Sequence, residues 1–111
     1  MNIQNCDNDS LFKLWFQSSE EQSNDVLVFR PEGYELPRVW SREKMEFKKT
    51  GEFIYHQIAP EDGYLVLKGA FKLDNENNEL HITYTKGTQL IITNYKLIEV
   101  TSKILKIKLL K

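Results

Sequence analysis

The residues best equipped for chemistry are the adjacent carboxylates Glu20 and Glu21, the arginines Arg30 and Arg42, and the histidines His56 and His81. Two neighbouring acids can push one pKa upward and form a proton-transfer pair. Adjacent residues of an extended segment point to opposite faces, so the two acids need not share a site, and ion pairing of each with an arginine at the rim of the fold is the expected role. His56 alternates with Tyr55, and His81 with Leu80 and Ile82, which turns both imidazoles outward and away from catalysis or haem ligation. Ser41-Arg42 and the hydroxyls of Thr83, Thr85, Thr88 and Thr93 read as strand and turn residues, and no Ser, Thr or Cys has a base at motif spacing. The five glycines are scattered singly, so no phosphate-cradling loop exists. The expectation is a non-enzymatic protein without a cofactor.

Charge and cysteine usage narrow the partners. Fifteen Lys and Arg against 16 Asp and Glu give a net charge of -1 over 111 residues, so nothing draws the chain globally to phosphates or acidic lipid. Lys103, Lys106, Lys108 and Lys111 form a basic C-terminus of the kind that tracks single-stranded nucleic acid, but the acidic stretch around Asp7, Asp9, Glu20, Glu21 and Asp25 offsets it. Neither a nucleic-acid nor a membrane partner is expected. The lone Cys6 and the two histidines are too few for a structural zinc site. Residues 1–6 contain neither a positive n-region nor an apolar h-region, and Cys6 lacks the apolar stretch that precedes a lipoprotein anchor; the expected location is the cytoplasm.

The elements that must position these residues are read from periodicity. Asp9 and Ser10 can cap a short helix or 3₁₀ turn over the block Leu11-Phe12-Lys13-Leu14-Trp15-Phe16, with Leu11, Phe12 and Trp15, and Leu14 as a further candidate, facing inward as a plug. Residues 18–25 form a polar loop or fraying strand, and Val26-Leu27-Val28-Phe29 is a short strand ended by Pro31. From Lys44 onward alternation with a period of two is continuous. Met45 and Phe47 lead through Lys49-Thr50-Gly51 into Phe53, Tyr55 and Gln57, making a hairpin. A turn at Ala59 to Gly63 follows, then a strand carrying Leu65, Leu67, Gly69, Phe71 and Leu73 on one face. The turn at Asp74 to Asn78, a strand through Tyr84, the Lys86-Gly87 turn, a strand through Val100 with a bulge or bend at Asn94, and a last strand from Ile104 to Leu110 complete about seven to nine strands. Short turns between so many strands indicate an all-β, antiparallel up-and-down barrel in a single domain spanning residues 1–111, with residues 1–9 flexible, because closure removes the edges an open sheet would expose.

The ordered set Trp15-x-x-Ser18-x-Glu20-Glu21, Val28-Phe29-Arg30-Pro31, Pro37, Ser41-Arg42, Met45-Glu46-Phe47, Gly51-x-Phe53, Asp62 and Gly69-x-Phe71 resembles the small bacterial lipocalin-like, or calycin-type, β-barrel proteins. The resemblance implies a barrel closed at one end near an N-terminal tryptophan, with an interior that in true lipocalins takes small apolar ligands. Lys13 stands where true lipocalins place a glycine, and Phe71 where these proteins often show tryptophan. True lipocalins also pack a late arginine over the indole, whereas every arginine here lies at or before Arg42. A lysine such as Lys103, or Arg30 or Arg42 from the other direction, covers Trp15, or the closed end is built differently.

Two functions follow as expectations. In the first, the barrel binds a small apolar or amphipathic ligand through Trp15, Trp40, Phe53 and Tyr55, with Arg30 or Arg42 at the rim orienting a polar head group. In the second, the barrel is packed solid by its own aromatics and the loop from Arg30 to Arg42, bearing Tyr34 and Trp40, docks a protein partner. Interior volume separates them, since a ligand pocket needs at least roughly 300 Å³.

Overall fold

Alternation of side chains between two faces is the dominant local instruction in this chain, and in the computed structural model, which describes residues 8–38, 42–59 and 63–110, it yields eight strands. These are β1 (Leu14–Gln17), β2 (Val26–Pro31), β3 (Lys44–Phe47), β4 (Glu52–Ala59), β5 (Gly63–Asp74), β6 (Glu79–Lys86), β7 (Gln89–Val100) and β8 (Leu105–Leu109). Two 3₁₀ turns, Asn8–Leu11 and Ser19–Glu21, flank β1. Cys6, Trp40 and the Pro60-Glu61-Asp62 turn lie outside the described residues. No helix among the described residues is long and apolar enough to cross a membrane.

Every strand pair is antiparallel and the sheet closes on itself. Strands β3 to β8 follow one another as a meander, and the barrel is completed by the N-terminal hairpin, with β2 against β8 and β1 between β2 and β3. This order follows from direction. Since β1 pairs antiparallel with both β2 and β3, those two run the same way and cannot be joined by a tight turn. The connection over residues 32–43 must therefore return from one end of the barrel to the other. The β3–β4, β5–β6 and β7–β8 turns gather at one end, which the 3₁₀ turn Asn8–Leu11 closes: Lys13 Nζ reaches the Ser102 carbonyl at 3.5 Å, and the Phe12 and Phe71 ring centroids stand 6.1 Å apart. Among the described residues, the opposite end is left open.

Inward positions pack the closed half. Leu11, Trp15, Phe47, Leu80, Val100 and Leu105 are buried, and Phe71 meets Phe47 edge-on at 5.1 Å. Each fully buried aliphatic or aromatic side chain contributes about 1.5–3 kcal/mol relative to exposure. Gly69 faces Tyr84 so closely that a Cβ would sit 1.9 Å from the Thr83 carbonyl oxygen, so β5 and β6 can approach there only without a side chain.

Three local expectations are corrected. The block from Leu11 to Phe16 is not one helical turn; the 3₁₀ turn ends at Leu11 and Leu14 already opens β1, because pairing on both sides with β2 and β3 outweighs a weak cap. Asn94 pairs regularly with His81, and the irregularity in β7 lies between Leu97 and Glu99, against β8. Trp15 is covered by neither Lys103 nor an arginine: the Lys13 ammonium lies 5.4 Å from its ring centroid. Lys13, two residues before the ring in sequence, supplies the cation itself.

Candidate functional site at the open end

Inward residues nearer the open end do not fill the barrel. Gln17 on β1, Leu27 and Phe29 on β2, Glu43 just ahead of β3, Phe53 and Tyr55 on β4, Tyr84 on β6, and Thr93 and Tyr95 on β7 share the face of Trp15, Met45 and Ile82 and enclose a cavity of about 110 Å³. Strand alternation places them: Glu43, Met45 and Phe47 are successive inward positions, as are Trp15 and Gln17. The floor is aromatic. Tyr55 and Tyr84 meet edge-on at 5.6 Å, and Phe53 lies 6.3 and 6.0 Å from them.

Among the described residues, Glu43 is the one carboxylate of this lining. Its Oε1 accepts the Tyr55 hydroxyl at 2.5 Å, and its Oε2 accepts the Ile58 amide at 3.4 Å. Burial, and then the hydrogen bond to Glu43, push the Tyr55 hydroxyl well above the ordinary tyrosine range. Burial raises Tyr84 and Tyr95 in the same direction. All three phenols therefore stay neutral near pH 7.

A second, shallower space adjoins this one. A groove of about 550 Å³ runs along the mouth between the β1–β2 turn and the end of β8, bordered by Asn24, Asp25, Val26, Lys108, Leu109 and Leu110. Leu27 and Tyr95 line both the groove and the inner cavity. Leu109 is 47% exposed and Leu110 37%, so the groove has an apolar wall.

The residues singled out from the sequence divide between these places and others. Phe53 and Tyr55 line the cavity. Trp15 is fully buried at the closed end, donating its indole N–H to the Leu11 carbonyl at 2.9 Å, and belongs to the core. Trp40 lies outside the described residues. Arg30 and Arg42 depart from the expectation of a head-group clamp. Arg30 alternates outward from Phe29 and makes a two-bond fork on Glu21 at 2.8 and 2.6 Å, with a third bond to the Lys103 carbonyl at 2.9 Å. Arg42 grips Glu20 at 2.8 and 2.6 Å and donates to the carbonyls of Gln17 and Pro37. The pairing of Glu20 and Glu21 with separate arginines is the one anticipated for them. Tyr34, 41% exposed, stacks on Arg30 with the guanidinium carbon 4.2 Å from its ring centroid.

The histidines stand apart from both spaces. His81 Nδ1 is 2.7 Å from Asn94 Oδ1, and its Nε2 is 3.4 Å from Glu79, forming with Asp74 a group whose ligand atoms lie within 4.8 Å of one another. Asp74 already accepts the Glu76 and Asn77 amides and the Asn77 side chain, which shapes the β5–β6 turn. Glu43, Gln17 and Thr93 were not anticipated as site residues. For Glu43 and Gln17 a signal exists: each continues the inward parity of its strand one step past the last large apolar residue, where a polar side chain can still face the interior.

Comparison of the chain with family models, with curated proteins and with solved structures yields no match.

Proposed function

We propose that this barrel is a non-enzymatic, lipocalin-like binder of a small amphipathic molecule, held at its open end. The observation that carries the reading is the pairing of the two spaces, an inner cavity and a mouth groove that have Leu27 and Tyr95 in common. Volume sets the division of labour. The inner cavity, about 110 Å³, falls short of the roughly 300 Å³ set above for a ligand held inside the barrel and is smaller than the roughly 150 Å³ void that accommodates benzene, so it takes a head group and not a whole ligand. The groove, about 550 Å³, lies within the roughly 300–1,000 Å³ range of small-molecule sites and offers apolar wall to the remainder. Convergent polar groups in an otherwise aromatic lining, here Glu43, Tyr55, Thr93 and Gln17, are what orient a ligand in such a pocket.

Titration with 1-octanol, followed residue by residue in amide NMR spectra, tests the reading. Shifts are expected at Leu27, Thr93, Tyr95 and Leu109, with Arg30 and Arg42 unmoved. Leu27→Trp, which places a larger ring where the two spaces meet, is expected to abolish them. An absence of shifts up to the solubility limit of the alcohol, or shifts confined to the outer face, would overturn it.

A further inference from the structure

We infer that the head group accepted at the open end is an organic ammonium, bound between the Glu43 carboxylate and the faces of Phe53, Tyr55 and Tyr84. The inference rests on the ligand-binding reading above and specifies its chemistry. Charge is the first reason. Among the described residues lining the inner cavity, Glu43 is the only acidic side chain, and no lysine or arginine lines it. The nearby cations face elsewhere: Arg30 and Arg42 hold Glu21 and Glu20, and Lys44 Nζ lies 5.4 Å from the outward Phe16 ring. A part-buried carboxylate without an opposite charge is unfavourable, and an ammonium entering beside it relieves that cost while a carboxylate or phosphate would add to it.

Geometry is the second reason. A carboxylate offers about four lone-pair positions, and among the described residues Glu43 uses two, toward Tyr55 and Ile58. The rings of Phe53, Tyr55 and Tyr84, with centroids 5.6–6.3 Å apart, line the same space, and the negative π-face of such a ring favours a desolvated cation. Volume is the third. About 110 Å³ admits an ammonium or a small methylated ammonium, with its carbon chain left to the mouth groove. In that groove Asp25 and Lys108 offset one another, so the discrimination between cation and anion is made at Glu43.

Three probes of equal chain length test this: octylammonium, 1-octanol and octanoate, titrated calorimetrically into the full chain near neutral pH with amide NMR spectra recorded in parallel. Octylammonium is expected to bind at least roughly tenfold more tightly than octanoate and more tightly than 1-octanol, shifting Tyr84 and Thr93 as well as Leu109. Glu43→Gln is expected to lower octylammonium affinity about tenfold and leave 1-octanol affinity unchanged. If octanoate or 1-octanol equals octylammonium on the unaltered protein, or Glu43→Gln keeps the preference, the ammonium assignment fails while ligand binding stands. If none of the three binds, both fail together. The comparison on the unaltered chain decides the matter even where Glu43→Gln does not fold.

Discussion

At the scale of single residues, the two arginine forks are the clearest case of side chains whose role is structural. Hydrogen bonding to Arg42 draws the Glu20 carboxyl from 4.5 down to about 2, and hydrogen bonds to Arg30 and then Ser18 do the same for Glu21. Because the folded-state pKa values lie below the unfolded ones, the stabilisation is complete above about pH 4.5 and is lost as pH falls toward 2. The midpoint of urea unfolding is expected to drop between neutral pH and about pH 3, less so in high salt, and the Glu20→Gln, Glu21→Gln double variant is expected to show a flatter profile over the same interval. An identical profile in that variant would remove these pairs from the account. Trp15 makes the second residue-scale case. Trp15→Phe deletes one of two donors to the Leu11 carbonyl, which keeps the Lys13 amide at 2.8 Å, and leaves a small void, at an expected cost of about 2 kcal/mol in denaturant unfolding.

At the scale of strands, alternation within one element predicts opposite outcomes for neighbouring residues. Ile107 is buried at the junction of β8 with β2 and β7, whereas Lys108, next along the strand, is exposed. Ile107→Ala is expected to cost about 3 kcal/mol and Lys108→Ala less than about 0.5 kcal/mol, read as the difference in urea midpoint at constant slope. Gly69 tests the contact between β5 and β6. Its replacement by alanine would press a Cβ against backbone, with a Tyr84 Cα at 2.6 Å and the Thr83 oxygen closer still, and is expected to cost about 3 kcal/mol. Gly51, with φ at +96°, serves a different purpose: it turns the chain between β3 and β4 in a conformation L side chains rarely adopt. Most strands were legible because each alternates over four or more residues. The first was not, because Leu14-Trp15-Phe16 is a run of apolar residues without alternation, downstream of the capping residues Asp9 and Ser10, and carries as much helical as extended signal.

At the scale of the molecule, closure depends on pairing across almost the whole chain, Val26 with Lys108 and Phe29 with Leu105. Such contacts form only after a long loop has been ordered, so folding is expected in milliseconds to seconds by stopped-flow fluorescence; microsecond folding would contradict a barrel sealed last at this seam. Among the described residues, the same closure leaves one end capped by the 3₁₀ turn and the other open, and the interior passes from a packed closed half to a small, largely aromatic cavity. Packing the barrel with its own aromatics and keeping a binding site are therefore compatible here. The core occupies the closed half, and the ligand site proposed above occupies the mouth.

Period-two alternation, turn residues and charge balance made the all-β class, the barrel, the outward histidines and the acid–arginine partnership readable, because each depends on neighbours in sequence or on a parity that one strand carries by itself. The insertion of β1 between β2 and β3, the Lys13 cover over Trp15, the outward swing of Arg30 and Arg42, and the meeting of Glu43 with Tyr55 depended on which strands close the sheet and in what register. Those are properties of contacts between distant segments, and a one-residue slip at any seam would turn every affected side chain to the other face. Cavity size belongs with them, since volume is the residue left between packed elements and is encoded in no single stretch of chain.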